Sequence, residues 1–139
     1  MKIIEYREKY QNQVVELWKA CGLTVPWNDP VKDIRRKLAK DPELFLVGLI
    51  DGVVVASVMG GYEGHRGWIN YLAVNPKLQK MGYGRQLMDA VEKKIAVQGA
   101  AKINLQIRTN NLDVTAFYKS IGYEEDGVIG MGKRLVSDE

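Results

Sequence analysis

The sequence predicts a mixed α/β (α+β) domain in which helices pack against a mixed sheet, and three observations predict it. An Asp51-Gly52 pair sits between two β-rich runs. Several segments repeat apolar residues at helical spacing between recognisable start and stop residues. Hairpins come first and helical crossovers follow, in the order β-α-α-β-β-β-α-β-α-β-β. No repeat, linker or low-complexity tract interrupts the 139 residues, so residues 1-139 are expected to form a single domain.

Each element has a local cause. Lys2 to Tyr6 reads as a short first strand. From Tyr10 to Cys21 the residues Val14, Leu17, Trp18 and Cys21 recur at helical spacing, and Gly22 is a natural stop. On that stripe Cys21 reads as a core thiol rather than a nucleophile. Leu23 to Pro30 is a loop with two prolines; Asp29 is the N-cap, and Pro30 the first position, of a second helix reaching about Lys40. Leu44 to Ile50 and Val53 to Met59 are the arms of a hairpin, because Asp-Gly supplies the positive φ angles of a type I′ turn. Gly60 to Gly67 reads as a second turn region, and Trp68 to Val74 as a strand ended by Asn75 and Pro76.

The next helix is long and amphipathic. Gly84, Leu87, Met88, Val91 and Ile95 line one face, Arg85, Asp89, Glu92 and Lys93 point outward, and Gly99 sits at the C-terminal cap. Ala101 to Ile107 reads as a strand. Leu112 to Ile121 is a helix with Val114, Phe117, Tyr118 and Ile121 on one stripe, closed by Gly122. Tyr123 to Val136 offers two short strands.

Composition narrows the function classes. The chain is 46% hydrophobic and 27% charged, ordinary for a protein that buries a core. Its formal charge of +3 arises from 20 basic and 17 acidic residues that are scattered, which disfavours a nucleic-acid partner. No apolar run approaches bilayer-spanning length, and the opening MKIIEYREKY has no signal-peptide apolar region. With one cysteine excluding an internal disulfide, a cytoplasmic protein without membrane partner or metal is expected.

Chemistry concentrates where Tyr71-Leu72-Ala73-Val74-Asn75-Pro76 is followed by Gln79-Lys80-Met81-Gly82-Tyr83-Gly84. A strand stops, the chain turns through two glycines and a helix begins. The first turn of a helix has unpaired N–H groups and the positive end of the macrodipole, so it receives phosphate well. Gly82 and Gly84 remove side chains that would hold a phosphate off the backbone, and Lys80 and Arg85 add positive charge. The glycine spacing is neither the dinucleotide fingerprint nor a Walker A loop. By itself such a turn is more often plain chain geometry.

A second segment changes that weighting: Asn110-Asn111, then Ala116-Phe117-Tyr118, then Ile121-Gly122-Tyr123. With it the sequence resembles the GNAT superfamily of N-acetyltransferases, whose pattern is strand, Gln/Arg-x-x-Gly-x-Gly/Ala, helix, strand, then a helix beginning near an Asn with a Tyr seven residues on, then Gly-Phe/Tyr. Asn111 and Tyr118 keep that spacing. Trp27 to Pro30, Gly60 to Gly67 and Gly132 to Leu135 are similar to the bacterial YpeA-like branch, which implies no particular acceptor.

The resemblance implies a GNAT-type mixed, mostly antiparallel sheet flanked by about four helices, with acetyl-CoA as co-substrate and no metal. It implies that Leu72, Ala73 and Val74 pair with the pantetheine arm and that the Leu72 N–H polarises the thioester carbonyl. Gln79, Lys80, Met81, Gly82, Tyr83, Gly84 and Arg85 would cradle the pyrophosphate. Asn111 would hydrogen-bond the cofactor arm, and Tyr118 would protonate the leaving thiolate. The acceptor would be a small-molecule or peptide amine attacking directly, with no acyl-enzyme. Many relatives dimerise, which makes a homodimer the expectation.

The pattern departs from the family at the general base. The usual glutamate positions hold Trp68 and Gln106, neither of which takes a proton at neutral pH. Glu63 and His65 are the nearest titratable residues, but at about 3.3 Å per strand residue their turn lies roughly 17 Å from Leu72. His65 and Arg66 therefore read as loop-stabilising or acceptor-contacting, and Asp29 as a helix cap. A site without a strong base suits amines of low pKa, unless a water relay past Asn70 or Gln106 serves instead. The missing glutamates also leave open a catalytically weak acetyl-CoA sensor, which the retained Tyr118 opposes.

Overall fold

Asp51 and Gly52 turn the chain at φ of +50° and +77° in the computed structural model, which describes all 139 residues. They join β2 (Phe45–Ile50) to β3 (Val53–Tyr62) as the Asp-Gly signal predicts. The remaining strands are β1 (Lys2–Glu5), β4 (Gly67–Val74) and β5 (Ile103–Leu105). The sheet order is β1-β2-β3-β4-β5, with the first three pairings antiparallel. The helices are α1 (Gln11–Ala20), α2 (Pro30–Leu38), α3 (Tyr83–Val97) and α4 (Leu112–Ser120). The mixed α/β class and its mostly antiparallel sheet are thus observed. No helix is long and apolar enough to cross a membrane.

The chain forms two compact units, Met1–Asn104 with Asp138–Glu139, and Leu105–Ser137. In the first, α1 and α2 cover one face of the sheet. Val14, Leu17 and Trp18 of α1 and Ile34 of α2 share a buried cluster with Phe45, Val47 and Leu49, alternate residues along β2, and with Val54 and Met59 of β3. Helix α3 covers the other face with Leu87, Met88, Val91 and Ile95, all buried.

Three expectations are corrected. Gly60 and Gly61 belong to β3, and the turn shrinks to residues 63–66. Gly60 and Gly67 make room for α3 rather than turn the chain. A Cβ on Gly60 would lie 2.6 Å from Val91 Cγ2, and one on Gly67 2.6 Å from Ile95 Cγ2. The strand expected over Ala101 to Ile107 is only Ile103–Leu105. The two strands expected within Tyr123 to Val136 are absent: a strand exists only through ladder bonds to a neighbour, which local sequence cannot provide. Gly127, at φ +67°, Gly130 and Gly132 interrupt that run, and Val128, Ile129, Met131, Leu135 and Val136 are exposed rather than alternating in burial.

Candidate active site

The strand that carries Leu72 to Val74 is deformed where it matters. Ser57 pairs with Ala73 and Met59 with Asn70, so Tyr71 and Leu72 of β4 oppose the single residue Val58 of β3. That extra residue is a β-bulge. Tyr71 sits at φ +52°, a left-handed conformation that costs a bulky L-residue about 1–2 kcal/mol. Beyond the bulge, the Asn75 N–H donates to Val55 O at 2.8 Å. In-plane groups alternate along a strand, so Ala73 and Asn75 face β3, whereas the amides of Leu72 and Val74 face the opposite edge.

That edge is not filled by β5. The Gly67 N–H donates to Lys102 O at 2.9 Å, which sets β5 beside the start of β4. Three strand residues span about 10 Å, and Leu72 lies about 17 Å beyond Gly67. On the outer edge the Val74 carbonyl accepts from Cys21 Sγ and Gln79 Nε2, both at 3.2 Å. Burial pushes the Cys21 thiol up, so it remains neutral and unsuited to nucleophilic attack.

The chain then turns toward α3 through Lys80 (φ +65°) and Gly82 (φ +87°), two left-handed residues in an exposed loop. Gln79 tethers this loop to Val74, while Lys80, Met81 and Arg85 are exposed. The first intrahelical backbone bond runs from Gln86 N–H to Gly82 O. The N–H groups of Tyr83, Gly84 and Arg85 have no carbonyl one turn back, and Gly82 has no side chain with which to cap them. At α2, by contrast, Asp29 Oδ1 accepts from Val31 and Lys32 N–H. A Cβ placed on Gly82 meets nothing within 4 Å. The N-terminus of α3 therefore leaves these N–H groups without a side-chain cap at the positive end of the macrodipole.

In the second unit, Asn111 caps α4: its side-chain oxygen accepts from Val114 N–H at 3.3 Å. Tyr118 is 7% exposed and meets Phe117 and Tyr123 edge to face, with ring centroids 5.2 and 5.5 Å away. Burial pushes its phenol up, so the hydroxyl keeps its proton at neutral pH and can donate. Gln106 is exposed and lies against Gly130, where a Cβ would come within 2.6 Å of Gln106 Nε2.

The β3–β4 turn is self-contained. Glu63 Oε1 accepts from the N–H groups of His65 and Arg66, and these bonds lower its pKa, holding it as a carboxylate. Trp68, at the first usual base position, is 37% exposed on β4.

The sequence reading missed the groups around Tyr71. Trp18 Nε1 donates to Ser57 Oγ at 2.8 Å, Ser57 Oγ donates to the Tyr71 carbonyl at 3.3 Å, and the Trp18 and Tyr71 rings stack 3.9 Å apart. The Tyr71 hydroxyl donates to Asp33 Oδ2 at 2.7 Å. Asp33 and Asp138 both bind Arg36, and Asp138 also accepts from Asp29 N–H. The signal available in the sequence is one serine inside the apolar run of β3.

The family model described as "Acetyltransferase (GNAT) family" matches residues 10–123. A Yersinia enterocolitica protein named as an acetyltransferase is 43% identical over 139 residues, covering 100% of this chain and 99% of its own. The crystal structure of Ard1 from Thermoplasma volcanium shares 26% identity at a TM-score of 0.71, over 87% of this chain and 80% of that one. An AAC(6')-Iy structure, in complex with the bisubstrate analogue CoA-S-monomethyl-acetylneamine, shares the fold. It has a TM-score of 0.78 at 18% identity, over 96% of this chain and 98% of that one.

Proposed function

Because this chain belongs to the GNAT family of acetyltransferases and is an N-acetyltransferase, we propose that acetyl-CoA is its donor and that the acetyl group passes directly to an amine. The observation that carries this reading is the succession, within ten residues, of a strand edge at Leu72–Val74 that β5 does not cover and an uncapped, glycine-opened N-terminus of α3. A pantetheine arm carries amides that can continue a β-ladder, and a pyrophosphate is the anion that helix end accepts.

Leu72 and Val74 then pair with the pantetheine arm, and Ala73 between them keeps the strand on β3. The backbone from Gln79 to Arg85, with the Lys80 charge, holds the pyrophosphate. The Leu72 N–H donates to the thioester oxygen as negative charge develops there. Asn111 contributes its carboxamide N–H₂, since its oxygen already caps α4. Attack forms the C–N bond and breaks the C–S bond; Tyr118 protonates the departing thiolate, and the new ammonium gives its proton to solvent. The family match runs through both compact units, which supports one N-acetyltransferase domain over residues 1–139. The half-buried, neutral thiol of Cys21 suits a reducing, cytoplasmic setting.

Gly82→Ala tests the cradle. Its Cβ has space, and the left-handed φ makes it cost about 1 kcal/mol of stability. Acetyl-CoA affinity, measured by calorimetry on folded protein, should fall by about tenfold or more because the backbone no longer approaches phosphate closely. Unchanged affinity removes the cradle assignment. Acetyl-CoA binding without turnover across amino acids, peptides, polyamines and aminoglycosides would instead make the protein a sensor.

A further inference from the structure

Tyr71 is held in its left-handed conformation from three sides, by α1, β3 and α2. Ser57 is wholly buried in β3, where an apolar residue would pack without needing a partner. Its hydroxyl receives from the indole of Trp18 and donates to the Tyr71 carbonyl. That carbonyl is bound by a side chain rather than by the ladder, because the left-handed φ has rotated the Tyr71–Leu72 peptide. The same peptide plane carries the Leu72 N–H. Whatever fixes the Tyr71 oxygen therefore fixes the direction of the Leu72 hydrogen. Trp18 presses on the Tyr71 ring at 3.9 Å, and Asp33 accepts the Tyr71 hydroxyl at the far end.

We propose that Ser57, Trp18 and Asp33 are positioning residues that lock the Tyr71–Leu72 peptide so that its N–H points at the thioester oxygen. This rests on the Leu72 role given above. None of the three touches the reacting atoms; each acts through Tyr71. A relaxed bulge would let Tyr71 return to ordinary β geometry, and the peptide would rotate its N–H away from the open edge.

The test reads the carbonyl itself. Wild-type protein, Ser57→Ala, Tyr71→Phe and Trp18→Phe are saturated with acetyl-CoA labelled with ¹³C at the acetyl carbonyl, and binding of unacetylated CoA is measured in parallel. A hydrogen bond to the carbonyl oxygen draws electron density from the carbon and moves its resonance downfield of free acetyl-CoA. The wild type should show that displacement. Ser57→Ala should lose about half of it or more, while CoA affinity stays within about twofold, because Val74 and the backbone from Gln79 to Arg85 still hold the CoA and only the Leu72 donor has turned. Tyr71→Phe keeps the stacked ring and removes only the bond to Asp33, so it carries the test if Ser57→Ala or Trp18→Phe fails to fold. A full wild-type displacement in every folded variant overturns the positioning role and leaves the Leu72 role standing. No displacement in the wild type overturns the Leu72 role, and the positioning role falls with it.

Discussion

Tyr118 separates its two possible roles in one substitution. The side chain is buried between Phe117 and Tyr123, and burial keeps its hydroxyl protonated. Tyr118→Phe preserves that ring packing and removes only the hydroxyl. As a general acid its loss slows transfer by about 10²–10⁴, with acetyl-CoA affinity and melting temperature nearly unchanged. Wild-type turnover in that variant would make Tyr118 a packing residue. Asp138 is a different kind of residue, met only in the folded chain. Its side chain is covered, and Arg36 and then the Asp29 N–H hold its carboxyl well below the usual carboxylate range. A lowered folded pKa stabilises the protein above the ordinary value of about 4, and that share is lost as pH falls toward the folded value. Thermal melts should therefore show Asp138→Asn less stable than wild type at neutral pH, with the gap closing in acid. A gap independent of pH would mean that the ion pair contributes nothing.

Among the elements, the pairing of β3 and β4 with α3 depends on missing side chains. Gly60 and Gly67 look like turn residues in sequence because glycine is the usual turn residue. They lie in strands because Val91 and Ile95 occupy the space a Cβ would need. Gly60→Ala should cost about 1–3 kcal/mol by overpacking, read as a lower melting temperature. Val91→Ala in the same chain should recover part of it, since the clash is with Val91 Cγ2 at 2.6 Å. Equal losses with and without Val91→Ala would locate the strain elsewhere. The helices were legible to within a residue or two, because caps and stripes are local: Asp29 caps α2, Asn111 caps α4, and Gly22, Gly99 and Gly122 follow α1, α3 and α4 at positive φ. The last two strands were misread because alternation alone does not supply a partner strand.

For the molecule as a whole, the missing glutamate bears on the acceptor. Trp68 and Gln106 cannot take a proton, and Glu63 is committed to its own turn. Deprotonating a lysine side chain at neutral pH costs about 4.6 kcal/mol, whereas an α-amine costs about 1. With acetyl-CoA as donor, kcat/KM for an α-amine should level off above about pH 8, and for a lysine side chain should keep rising to about pH 10. His65→Ala should leave both profiles unchanged, because its turn lies about 17 Å from Leu72 along β4. A profile that loses an ionisation in that variant would make His65 the base.

Sequence alone determined the helices, the Asp-Gly hairpin, the glycine-opened start of α3 and the spacing from Asn111 to Tyr118 that marks the family. All of these are set by residues within a few positions of one another, where backbone preference and capping act directly. Only the tertiary structure decided the bulge at Tyr71, the burial of Ser57 against Trp18 and the chain of contacts from Asp138 through Arg36 and Asp33 to the Tyr71 hydroxyl. Apart from Asp33 and Arg36, one turn apart on α2, those partners lie 14 to 102 positions apart in the chain. A left-handed tyrosine is unfavourable by itself, so no local pattern announces it. It persists because three packed elements hold the conformation that its own backbone would not choose.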